Sequence, residues 1–146
     1  MDTRTRAQNA AAASRVCASL NTHIKNGVLL SMADLLSVNT AAIVDANMQD
    51  IERSRKNGLA DTVVNRLWFG EKKIESRIDS LRKIAALPDP VGHVRDMTRR
   101  PNGLVAGRIS VPLGVILMIY EARPHVTVNA GAFAFKAGNA AILKGG

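Results

Sequence analysis

From Leu113 to Tyr120 the chain is apolar at nearly every position, with Gly114 the one interruption. A run this short is a strand, and one without polar alternation suits a sheet covered on both faces. Polar Glu121-Ala122-Arg123 follow, and then Pro124, whose fixed φ fits the first turn of a helix. Along that helix Val126, Ala130, Phe133, Ala134 and Ala137 are predicted to face inward. The small residues Gly131 and Ala132 permit close approach to a sheet. Gly138-Asn139 ends the helix, and Ala140 to Leu143 is a second apolar strand. Strand, helix and strand predict a right-handed βαβ unit, and doubly wound sheets take ligands at the carboxyl ends of such strands. The predicted class is α/β: a helical N-terminal portion, then the first strands of an incomplete Rossmann-like parallel sheet.

The upstream residues read as helices. Asp2 to Leu20 is rich in alanine, with Val16, Cys17 and Leu20 as its apolar stripe. Asn21 is placed to cap a second helix, in which Ile24, Val28, Met32, Leu35 and Leu36 recur as one face. A third carries Ile43, Val44 and Ile51 and stops at Asn57-Gly58. Leu59 to Phe69 is a short helix with Val63, Val64 and Leu67 inward. After Gly70-Glu71 comes the clearest pattern in the chain: Ile74, Ile78, Leu81, Ile84 and Ala85 at helical spacing. Asp79 and Lys83 are spaced for an i,i+4 pair. Pro88-Asp89-Pro90-Val91-Gly92 halts the helices. Thr98 to Gly103 has turn chemistry, and Leu104 to Val111 reads as a strand. The predicted division is 1–92, helical, and 93–146, the start of a dinucleotide-binding region, both within one incomplete cofactor-binding domain.

Several function classes are set aside by composition. No apolar run nears the ~20 residues of a membrane span, and the first residues lack the apolar core of a secretory signal. The single cysteine, Cys17, cannot form an intramolecular disulfide, fits a reducing compartment, and sits in a packing stripe. The net charge of +8, from 20 Lys+Arg against 12 Asp+Glu, permits phosphate or nucleic-acid contact. Aromatics are only 3%, too few to build base-stacking platforms. His125 has no second ligand at metal spacing. The expectation is therefore a cytoplasmic protein with neither metal, nucleic-acid nor membrane partner.

Several motifs stand in order along the chain. They are Asn57-Gly58-Leu59, Ile84-Ala85-Ala86-Leu87-Pro88-Asp89-Pro90-Val91-Gly92, Arg100-Pro101-Asn102-Gly103-Leu104, Val111-Pro112-Leu113-Gly114-Val115, Tyr120-Glu121-Ala122-Arg123-Pro124 and Lys136 to Gly146. Together they resemble the gamma-glutamyl phosphate reductase (glutamate-5-semialdehyde dehydrogenase) family of the aldehyde dehydrogenase superfamily. The resemblance covers essentially the whole chain and corresponds to the N-terminal third of a complete enzyme. Leu67-Trp68-Phe69-Gly70 departs from it, standing where a threonine cap is usual. The resemblance implies NADP(H)-dependent reduction of L-glutamate 5-phosphate to L-glutamate 5-semialdehyde in proline biosynthesis, with a homo-oligomer possible for the full-length enzyme. It also implies that the nucleophilic cysteine lies beyond Gly146, so that this chain alone contains no catalytic residue and is inactive. The alternatives are another aldehyde dehydrogenase, whose loop would carry a Trp-Asn pair where this chain has Glu121-Ala122-Arg123, and a non-catalytic basic helical binding module.

The resemblance places a lysine at the end of the second strand against the cofactor ribose, here Lys144; the plain reading is an exposed strand end. Gly145 and Gly146 would let backbone approach the cofactor, or simply form a turn. Tyr120 is assigned to the cofactor with them. Arg123 suits a substrate bearing carboxylate and phosphate, because its fork matches those oxygens. Glu121 joins it as a substrate residue, or the two form a structural ion pair.

Overall fold

The computed structural model describes residues 2–145. Helices α1 (Thr3–Ser19), α2 (Thr22–Val38), α3 (Thr40–Lys56), α4 (Asp61–Leu67) and α5 (Glu71–Ala86) come first. Strands β1 (Val94–Arg99), β2 (Val105–Ile109) and β3 (Val115–Ile119), helix α6 (Pro124–Lys136) and strand β4 (Ala140–Lys144) follow. The first two helices start as their sequences direct. Asp2 accepts a hydrogen bond from the Thr5 N–H, and Asn21 accepts one from the Ile24 N–H. Helix α5 starts at Gly70 without a side-chain cap.

The core forms where α2, α5 and α6 meet. Ile74, Ile78, Leu81, Ile84 and Ala85 of α5 pack with Leu29 and Ala33 of α2, Ala132 of α6, and Phe69. The predicted stripe on α5 is therefore the buried one. That on α2 is only partly so: Met32 and Leu36 pack against the core, but Ile24, Val28 and Leu35 are exposed, and the fully buried residues are Lys25, Leu29 and Ala33. The helix is rotated because Lys25 points inward, its ammonium 2.9 Å from the Asp89 carboxylate. On α6 the buried residues are Ala132, Ala134 and Lys136, while Phe133 is exposed. The Lys136 ammonium donates to Asn26 Oδ1 at 2.6 Å and to the Ala85 carbonyl at 2.9 Å, an oxygen that the end of α5 leaves open. On α1 Ser14 is buried and Val16 exposed, against the predicted stripe. Asp79 pairs with Arg82, one residue earlier than expected.

Strands β3 and β4 pair in parallel, in register from Val115↔Ala140 to Ile119↔Lys144, with α6 as the crossover. Of the two strands, α1 and α6 pack chiefly on β4, and α6 also packs on α5. Strand β3 was expected to be covered on both faces. Instead Leu117 and Ile119 are 60% and 71% exposed, because the helices lie mainly over β4 and leave that face of β3 uncovered.

Strands β1 and β2 form a separate antiparallel hairpin. Its first strand was not anticipated. Val94 faces Ile109 and Arg95 faces Arg108, then a bulge at Asp96 (φ +56°) shifts the register to Thr98↔Ala106 and Arg99↔Val105. Alternation puts Val94, Val105 and Ile109 on one face and Arg95, Thr98 and Arg108 on the other. Met97 lies over Gly107, its sulfur where a side chain at that glycine would begin, and so joins the apolar face. Val94, Met97, Val105 and Ile109 are all at least half exposed. Among the described residues no single helix is long and apolar enough to cross a membrane.

Candidate functional site

Parallel pairing brings the ends of β3 and β4 to one place. The Tyr120 N–H donates to the Lys144 carbonyl at 3.0 Å, extending the ladder past Ile119. The Tyr120 hydroxyl shares a hydrogen bond with Thr127 on the first turns of α6. Its ring lies against Gly145, where an added Cβ would stand 3.9 Å from the ring edge. The intervening loop is tightly bent: Ala122 has φ +50°, a left-handed conformation that non-glycine residues adopt at a cost. Pro124 then opens α6.

This loop faces α3 and α4 across two adjoining cavities. One, of about 420 Å³, is lined by Tyr120, Glu121, Arg123, Thr127 and Gly145 on one side and by Arg53, Asn57 and Leu59 among others on the facing side. The second, of about 380 Å³, is lined by Glu121, Arg123, Ile119 and Val126 with Val63 and Arg66 of α4. Of the residues predicted from sequence, Tyr120, Glu121, Arg123 and Gly145 thus converge. Lys144 stands at the strand end, exposed, with its ammonium turned onto the Gly145 carbonyl and outside the lining of both cavities. Gly146 lies outside the described residues. Glu121 and Arg123 form no ion pair with each other among the described residues, so the structural-pair alternative is not what holds the loop.

Charge at this end of α6 is predominantly positive. The His125 imidazole is pushed below its ordinary value by burial and then by the fields of Arg77, Lys73 and Arg123, so the neutral ring is favoured at pH 7. Lys73 is anchored to the Trp68 carbonyl at 2.6 Å. Sequence reading missed Arg53 and Arg66, which lie on helices more than fifty residues upstream of the loop and carry no motif spacing, and it took Asn57 only as a helix stop and part of the Asn57-Gly58-Leu59 motif. Among the described residues no three His, Cys, Asp or Glu side chains are placed to hold a metal ion. Cys17 is remote in topology. The C-terminal end of α1 meets Gly138, with Ala18 Cα 3.6 Å from the position of a Cβ there, and Gly138 precedes the amino end of β4.

No family model matches the chain. It is similar to curated relatives named gamma-glutamyl phosphate reductase. It is 49% identical over 140 residues to that of Carboxydothermus hydrogenoformans, covering 96% of this chain and 34% of the relative. It is 48% identical over 146 residues to that of Moorella thermoacetica, covering 100% and 35%. Two crystal structures of gamma-glutamyl phosphate reductase have the same fold. The Thermotoga maritima enzyme superposes with a TM-score of 0.90 at 36% identity, covering 97% of this chain and 34% of that one. The Saccharomyces cerevisiae enzyme gives 0.92 at 36% identity, covering 100% and 38%. The chain thus spans about a third of the length of the curated relatives it matches.

Proposed function

We propose, from the homology of this chain to the gamma-glutamyl phosphate reductases over nearly its whole length and about a third of theirs, that it is part of a cytoplasmic enzyme of proline biosynthesis. That enzyme reduces L-glutamate 5-phosphate to L-glutamate 5-semialdehyde, releasing phosphate, and NADPH supplies the hydride when bound. The observation that carries this reading is the convergence of Tyr120, Glu121, Arg123 and Gly145 at the carboxyl ends of a parallel strand pair. The donor set fits a dinucleotide. Lys144 offers an exposed ammonium to ribose hydroxyls or phosphate, and Gly145 offers backbone with only the Tyr120 ring nearby. Arg123 binds an anionic group of the substrate.

The chain's one cysteine lies on α1, at the amino end of β4 rather than the carboxyl end, so its thiol cannot attack the acyl phosphate at this cleft. Two measurements test the reading. The purified 146-residue chain should oxidise no NADPH above background with glutamate 5-phosphate. A chimaera in which this chain replaces the matching third of the Thermotoga maritima enzyme should restore that reaction. A chimaera that folds yet remains silent would overturn the assignment.

A further inference from the structure

The smaller cavity carries more charge than the loop alone explains. Arg66 enters it from α4, and Arg123 and Glu121 enter it from the loop after β3. None of these three side chains has a hydrogen-bond or ion-pair partner among the described residues. Arg53, in the neighbouring cavity, differs, since Asp50 lies 3.6 Å from its guanidinium. Two open guanidinium forks and one open carboxylate on a single cleft form a pattern of donors and acceptors. A forked cation matches a phosphate or a carboxylate, and a carboxylate matches an ammonium.

We propose that Arg66, Arg123 and Glu121 form a three-point site for an α-amino acid bearing a second anionic group, with Arg66 and Arg123 each holding one anion and Glu121 holding the ammonium. This rests on the reading above and deepens it, because it names α4 as part of substrate recognition and Arg66 as a specificity residue. The apolar wall of Val63, Ile119 and Val126 then faces the methylene chain between the charged ends. A molecule with one anion leaves one guanidinium unmatched, and a molecule without an amine leaves Glu121 unmatched.

The test uses the full 146-residue chain, 15N-labelled, with arginine side-chain Nε–H signals followed by NMR. The probe is 2-amino-6-phosphonohexanoate, a non-hydrolysable compound of the substrate's length. Signals of both Arg66 and Arg123 should move together on titration. Arg66→Gln should weaken binding about tenfold or more. Glu121→Gln should weaken binding of this probe and leave 6-phosphonohexanoate, which lacks the amine, unaffected. Equal binding by Arg66→Gln and the unsubstituted chain would overturn the proposal. So would the absence of binding by the unsubstituted chain, or inorganic phosphate binding as tightly as the probe. The two readings fail separately. A chimaera that turns over substrate with the same KM after Arg66→Gln defeats this site and leaves the reaction standing. Probe binding lost in Arg66→Gln, beside a silent chimaera, defeats the reaction and leaves the site standing.

Discussion

Two ammonium groups, those of Lys25 and Lys136, lie inside the molecule and are held differently. Among the described residues Lys136 finds only neutral oxygens, whereas Lys25, 1% exposed, meets the Asp89 carboxylate. Asp89 also accepts hydrogen bonds from the Thr22 hydroxyl at 2.9 Å and the Val91 N–H at 3.0 Å, so it ties α2 to the segment leaving α5. Removing it strands a buried cation. We expect Asp89→Ala to cost about 3 kcal/mol in urea denaturation, and Lys25→Met to cost less, because an apolar side chain needs no partner. Burial alone would raise the Asp89 pKa; the hydrogen bonds from Lys25, Val91 and Thr22, with the Lys25 charge, outweigh it and leave the carboxyl below its ordinary 3.8. A carboxylate depressed on folding stabilises fully above its unfolded value and progressively less as pH falls through the lowered one. Stability from this clasp should therefore be flat at neutral pH and fall below about pH 4. In Asp89→Asn that acid-dependent part of the profile should disappear.

Glycines at helix ends separate backbone cost from packing cost. Gly58 and Gly138 share nearly the same left-handed backbone, φ +72° and +75°. A methyl at Gly58 would meet nothing within 4 Å, whereas one at Gly138 would press on Pro112 at 2.9 Å and Val91 at 3.2 Å. Gly58→Ala should then cost about 1 kcal/mol and Gly138→Ala at least ~1 kcal/mol more, by thermal or urea melts. The same helices show what the sequence could and could not reveal. Helix α5 was legible because its apolar residues repeat and its charges lie off that stripe. Helix α2 was legible only at Met32 and Leu36, because its most buried stripe begins with a lysine whose partner sits 64 residues away. On α6 Ala134 lies inward as predicted, Phe133 does not, and Lys136 was missed for the same reason. The site was half legible. Tyr120, Glu121, Arg123 and Gly145 directly follow apolar strands, which fixes their position at a sheet end. Arg66 and Arg53 reach the cleft only through the packing of α3 and α4, and nothing in their own neighbourhood signals it.

Taken as a molecule, the chain is a helical core with a two-stranded sheet on one side and a ribbon projecting from it. The ribbon β1–β2 packs mainly on itself. Its tip closes through the Arg100 N–H to Leu104 carbonyl bond at 2.7 Å and a left-handed Gly103. A lone two-stranded ribbon is barely stable in water. Its amides should therefore exchange with deuterium well before those of α2 and α5, which bound the core. At its root the Gly92 N–H donates to the Ser110 carbonyl at 2.9 Å, and the Ser110 N–H donates to the His93 carbonyl at 3.0 Å. His93 and Ser110 therefore already stand as the flanking pair of a possible tight turn. The consequence is that the arm is detachable. Joining His93 to Ser110 through two glycines would close the cut with the shortest favoured reverse turn. The trimmed chain should melt within about 4 °C of its parent, shedding the greasy underside of Val94, Met97, Val105 and Ile109 along with the guanidinium-studded upper side.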